Sequence, residues 1–187
     1  MEETNETIVI KRVLEGDVQA FSSIVRYYQK PVFSLIVQIV SSKEEAEELT
    51  QDVFLKVYKK LNTFKGQSKL STWIYRIAWN AAISHARKKR IYFTVDDDRL
   101  FASIPDESVD ELLNKEQDEH LIAQIEKAIG KLNPEERLFL SLYYFEDKPV
   151  ADVAEITGYT TDNVKVKLYR IRKKVVALIN KYGDEEG

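Results

Sequence analysis

The chain has no cysteine, which excludes disulfide cross-links and thiolate metal sites. Histidine is nearly as scarce. Only His85 and His120 occur, and no second ligand stands at a metal-binding spacing from His85, which reads as a partly buried, satisfied side chain. No stretch approaches the roughly 20 apolar residues that cross a bilayer. The apolar run from Ile8 to Ile10 is far too short for a signal peptide, so a soluble, cytoplasmic protein is expected. Glycine and proline number six and four, and Gly16, Pro31, Gly66, Pro105, Pro134, Pro149 and Gly158 read as punctuation between helices. No long alternating run argues for strands, and the apolar spacing is helical, as in Phe21, Ile24, Val25 and Tyr28. The expected class is all-α.

Charge divides the chain of 187 residues, whose formal net charge is −3. Residues 16–92 carry 13 basic and 6 acidic side chains, whereas residues 93–119 carry 2 and 10. The acidic stretch, with Asp96, Asp97, Asp98, Pro105, Asp106 and Glu107, resists burial and reads as a solvated linker over 93–115. It separates a domain over 1–92 from a second over 116–187. Two segments contain no acid at all, Val53–Tyr92 and Asn163–Tyr182. Basic charge suits phosphates, and the first segment interleaves it with Phe54, Tyr58, Phe64, Trp73, Tyr75 and Trp79, whose rings offer stacking faces for unpaired bases. Two separate DNA contacts are expected. A weakly acidic total implies that another partner delivers the protein to DNA.

The second acid-free segment follows a helix-turn-helix pattern. Val150, Val153, Ala154 and Ile156 line a short helix, Gly158 supplies a turn, and Thr160 or Thr161 caps a helix whose Val164, Leu168 and Ile171 face inward. Its outward side then carries Asp162, Lys165, Val166, Tyr169, Arg170 and Lys173; Lys165 and Arg170 could read guanine edges or hold phosphates, and Asn163 could pair with adenine. Upstream, Asn133-Pro134-Glu135-Glu136 has the form of a helix start.

In the first domain, Lys43–Leu61 forms a helix with Ala46, Leu49, Val53 and Val57 inward; its other faces hold Glu48, Gln51, Asp52, Leu55 and Lys59, either for a partner helix or as a solvated charged face. Asn62–Leu70 reads as a loop with parts for a flipped-base pocket. Ser71 is expected to cap the following helix, with Ile74, Ile77, Ala78 and Ala81 in the core and Arg76, Trp79, Asn80, Ile83 and Arg87 outward.

Four blocks in order, GDVQAFSSIVRYYQKPVF, EEAEELTQDVFLKVYKKLNTFKGQSKLSTWIYRIAWNAAISHARKK, LNPEERLFLSLYYFED and VADVAEITGYTTDNVKVKLYRIRKKV, resemble the extracytoplasmic-function group of bacterial RNA polymerase sigma factors. The resemblance implies two helical domains, regions 2 and 4, and a protein that binds core polymerase and directs it to promoters without cofactor, metal or enzymatic activity. Glu48, Gln51, Asp52 and Leu55 then match positions that contact the β′ clamp helices, and region 4 meets the β flap. Phe64, Lys65, Gly66, Ser68, Arg76, Trp79, Asn80, Ile83 and Arg87 fall where the minus-10 element is recognised and melted. Thr161, Asn163, Lys165, Val166, Lys167, Tyr169 and Arg170 fall where the minus-35 element is read. The family commonly has Asp at Ser84, Thr at Asn163 and Ser or Gly at Val166, departures that bear on promoter sequence rather than role. A membrane-bound anti-sigma factor, often used by the family, is carried as a candidate partner. The alternatives are a stand-alone helix-turn-helix regulator, which would need an effector pocket and a dimer face, and a nucleic-acid enzyme, which would need a metal cluster, phosphate loop or activated nucleophile.

Overall fold

The structure, a computed structural model, describes residues 3–40, 42–89 and 119–183; the expected linker 93–115 lies outside them. Among these residues every regular element is helical. Helices α1 (Glu3–Leu14), α2 (Val18–Ile36), α3 (Lys43–Lys60) and α4 (Leu70–Lys88) make one bundle. Helices α5 (Glu119–Lys131), α6 (Pro134–Leu140), α7 (Val150–Thr157) and α8 (Thr161–Gly183) make a second unit.

Local chemistry sets the helix ends. Asp17 caps α2 by accepting from the Ala20 amide at 3.1 Å, and the Arg12 guanidinium reaches the same carboxylate at 2.6 Å. The amide, then the guanidinium, hold that carboxyl below the ordinary carboxylate range. Ser42 caps α3, which opens with Glu44 and Glu45 and closes with Lys59 and Lys60, each matched to the sign of its helix end. Asn133 and Glu136 complete a reciprocal capping box at α6, with bonds of 2.8 and 2.9 Å and Pro134 at the first helical position.

Two local expectations fail. Pro31 lies inside α2 rather than ending it. Its ring removes one backbone bond, yet Ile24, Tyr28, Val32 and Leu35 on either side are all buried, and that packing outweighs the break. Ser71 does not cap α4 either. The helix starts at Leu70 with Lys69 in the cap position and no side-chain cap bond, because Leu70 and Thr72 are drawn into the core.

The first core gathers Ile24, Val32, Leu35, Val53, Val57, Leu61, Leu70 and Ile74, fully or almost fully buried. The second is built from Leu138, Leu142, Val153, Ile156, Val164, Leu168 and Ile171. The two units pack against one another, chiefly through α7 and α6 on α4. After α6 the chain passes through a π-helical turn, Ser141–Phe145, and a loop in which Asp147 takes the left-handed φ of 48°, a conformation its short polar side chain tolerates. That reversal brings Glu146 and Lys148 to Tyr75 of α4. Glu146 accepts a hydrogen bond from the Tyr75 hydroxyl, and the Lys148 ammonium stands 4.7 Å from the ring centroid. Burial, then the Glu146 carboxylate, push the Tyr75 phenol well above its usual value, so it remains a donor.

Candidate nucleic-acid and polymerase interfaces

One side of α3 is open. Ala46, Leu49, Val53 and Val57 are buried as the spacing predicts, which turns Glu48, Gln51, Asp52 and Leu55 to solvent, Leu55 at 56% exposure. A bare leucine flanked by acids is a surface fitted to a partner with apolar and basic groups.

The loop after α3 begins with a 3-10 turn, Leu61–Thr63, and reverses at Gly66, whose φ of 66° glycine adopts without strain. Lys65, Gly66, Gln67 and Lys69 are exposed; Phe64 is half-buried, its ring tilted against Trp73 at 5.4 Å. Together with α1 the loop encloses an open cavity of about 390 Å³, lined by Glu6, Thr7, Ile10, Phe64, Gly66, Gln67, Ser68 and Lys69. The contribution of α1 was absent from the sequence expectation. Its signal was there: Glu6 shares the inward face of Val9 and Val13 at helical spacing, and a buried acid on such a face asks for a partner.

On α4, Arg76, Asn80 and Arg87 are exposed and Ile83 is half-buried, while Trp79 is not outward as expected. Only 4% of it is accessible, because its ring stands edge-on to Phe139 of α6 with centroids 5.3 Å apart. The face that solvent would penalise is covered by the second unit. Two further aromatics of the first basic segment are likewise core, Phe54 and Tyr75, whereas Tyr58 stays exposed with its ring 4.9 Å from that of Phe21. His85 is half-buried, its Nε2 3.1 Å from Glu45 Oε1, and no metal-binding cluster occurs among the described residues.

The helix-turn-helix is α7 and α8. Gly158 ends α7 at φ 80°, and Thr160 rather than Thr161 caps α8 by accepting from the Asn163 amide at 3.2 Å. Val164, Leu168 and Ile171 are buried, leaving Thr161, Asn163, Lys165, Val166 and Arg170 exposed and Tyr169 half-exposed. Lys167 departs from that set. Its ammonium lies 3.4 Å from Glu135 and 4.7 Å from the Tyr159 ring centroid, since it follows Val164 by less than a full turn and sits at the border of the buried face. Tyr159 donates to Glu135 at 2.7 Å and packs on Phe139 at 5.7 Å; burial, then Glu135, raise its phenol to about 12. A row of rings, Trp79, Phe139 and Tyr159, thus runs from α4 to the start of the exposed helix.

Comparison with known proteins adds a family. Sigma-70 region 2 matches residues 24–91, and Sigma-70 region 4 matches residues 122–175. RNA polymerase sigma-H factor of Pseudomonas aeruginosa is 30% identical over 175 residues, covering 89% of this chain and 90% of that protein. ECF RNA polymerase sigma factor SigW of Bacillus subtilis is 29% identical, covering 88% and 91%. Among solved structures, CnrH in complex with the cytosolic domain of CnrY shares the fold, with a TM-score of 0.66 at 18% identity over 95% of this chain and 98% of that one. So does RpoE in complex with the anti-sigma factor NepR from Bartonella quintana, at a TM-score of 0.63, 19% identity and coverage of 87% and 98%.

Proposed function

Because the chain belongs to the extracytoplasmic-function group of the sigma-70 family of RNA polymerase sigma factors, we propose how its surfaces divide the work of directing core polymerase to a promoter. Residues 1–92 form region 2, 93–115 the linker and 116–187 region 4. Glu48, Gln51, Asp52 and Leu55 dock α3 on the β′ clamp helices, and region 4 rests on the β flap. Phe64, Lys65, Gly66 and Ser68 of the loop, with Arg76, Asn80, Ile83 and Arg87 of α4, capture and hold the melted minus-10 strand. Trp79 joins them only when the second unit leaves α4. Lys165, Val166, Tyr169 and Arg170 enter the minus-35 major groove, with Thr161 and Asn163 at the helix start and Lys167 bracing from the side.

The observation that carries this reading is the open side of α8, where Lys165, Val166 and Arg170 stand exposed directly after the Gly158 turn. Each of Lys165→Ala and Arg170→Ala is expected to weaken minus-35-dependent transcription, by about 1–3 kcal/mol if the contact to a base is bidentate. Leu168→Ala, by contrast, should unfold region 4, because that side chain is buried. Normal transcription by Arg170→Ala from a minus-35-dependent promoter overturns the assignment of this helix face.

The protein works in the cytoplasm and catalyses no reaction itself; sequence choice is its contribution, and the polymerase supplies most of the DNA affinity. A net charge of −3 supports this. The free chain should therefore bind duplex DNA weakly at near-physiological salt, and core polymerase should convert that to promoter-specific footprints. Tight sequence-specific binding by the free chain would sink the idea. CnrH and RpoE are each held by a partner, CnrY and the anti-sigma factor NepR. An anti-sigma factor, membrane-bound or soluble, is proposed for this chain on the same footing.

A further inference from the structure

We infer that Val166 reads the C5 methyl of a thymine in the minus-35 element, so that this chain requires a methyl group at one position of its promoter. This rests on the minus-35 reading of α8 given above and adds what one side chain on that face selects.

Helical geometry sets where Val166 points. Val164 and Leu168, two residues to either side, are buried, and two residues turn an α-helix through about 200°, so the side chain between them faces away from the core. It stands 47% exposed. As a β-branched residue in a helix it holds essentially one rotamer, which fixes the direction of its methyl groups. A lone exposed valine is ordinary on a protein surface. The neighbours of Val166 give it a setting. Tyr169 and Arg170, three and four residues on, share its face, and Asn163 stands three residues before it. The Lys165 ammonium leans back toward the helix start, 3.9 Å from Asp162 Oδ1. The Lys173 ammonium meets the Tyr169 ring from the following turn, 4.7 Å from its centroid. Cations thus flank this stretch of α8 at both ends, and Val166 with the Tyr169 ring forms an apolar spot between them.

Chemistry then narrows the ligand. Valine has neither donor nor acceptor, so it cannot pair with the polar edge of a base. In the major groove guanine shows N7 and O6, adenine N7 and an amine, and cytosine an amine, while thymine alone carries a methyl group. Against any other base the isopropyl group would strip water from a polar atom and offer it no partner. Methyl contact and avoided desolvation favour the same base. Ser or Gly, which the family commonly has at this position, offers no comparable apolar surface, so the requirement belongs to this chain rather than to the group.

The test uses holoenzyme reconstituted from the full chain and core polymerase. Promoters are selected from a library randomised across the minus-35 element, and each selected thymine, on either strand, is then replaced by deoxyuridine, which removes the methyl and nothing else. At one thymine the native protein should lose about fourfold in closed-complex affinity, the worth of one buried methyl. Val166→Ser should bind the thymine and deoxyuridine promoters equally at that position. Its melting temperature should stay near native, since the side chain is exposed. The inference is overturned if selection returns no thymine, if every deoxyuridine is neutral to the native protein, or if Val166→Ser keeps the loss, which would hand the methyl to Tyr169 or to DNA shape. Arg170→Ala separates the two layers of argument. Undiminished minus-35 selection by that variant sinks the reading of the helix face itself, whereas weakened selection beside neutral deoxyuridines removes only the role of Val166.

Discussion

Lys174→Met is expected to cost region 4 about 3–5 kcal/mol, among the largest losses any single change outside the hydrophobic core should cause. The Lys174 ammonium lies 2.9 and 3.1 Å from the two carboxylate oxygens of Glu136, and both residues are buried. Removing the lysine takes its ammonium from a buried carboxylate, which also accepts from the Asn133 amide in the α6 capping box. Neutralising it should restore most of the loss. Glu136→Gln keeps an oxygen for the Asn133 amide, so the double variant Glu136→Gln/Lys174→Met should recover much of the native stability, as buried pairs replaced by neutral, well-packed groups often do. Urea unfolding of the four proteins measures the cycle. A loss of similar size in the double variant would place the energy in packing by the lysine stem rather than in charge.

The largest functional effect is expected from Asp52→Lys. The residue stands with Glu48, Gln51 and Leu55 on the open side of α3, and reversing its sign should set like charge against the basic partner proposed for that surface, lowering core-polymerase affinity roughly a hundredfold, about 3 kcal/mol. The deficit should appear on every template. Phe64→Ala and Asn80→Ala should behave in the opposite way. Polymerase affinity stays near normal, open complexes form poorly by about the 1–3 kcal/mol of one stacked base, and a template already mismatched across the minus-10 element partly rescues them. A core-binding titration and permanganate reactivity of unpaired thymines, run on the same variants, separate the two roles. Identical patterns for Phe64→Ala and Asp52→Lys would collapse them into one.

Helix α3 was legible because its evidence is local. Ala46, Leu49, Val53 and Val57 repeat at helical spacing, the charges change sign along its length, and all four apolar residues are buried. The start of α6 was legible for the same reason, since the asparagine, proline and two glutamates are within one turn of each other. Trp79 was not. Periodicity places it opposite Ala78 and Ala81, but it cannot say that Phe139, sixty residues on, covers that side. Pro31 failed in the reverse sense: the local signal to break is real, and the buried stripe around it overrides it. Glu6 needed both kinds of information, a face readable from Val9 and Val13 and a distant Tyr28 to donate to it.

The edge-on contact of Trp79 with Phe139 turns affinity into a question of populations. A ligand that needs Trp79 bare can bind only those molecules whose second unit has left α4, so its apparent dissociation constant is the intrinsic one divided by the fraction open. Were one molecule in about a hundred open, such a ligand would bind about a hundredfold more weakly than its own contacts allow. Any partner that grips the two units separately, at α3 and at region 4, removes that handicap without touching the ligand at all.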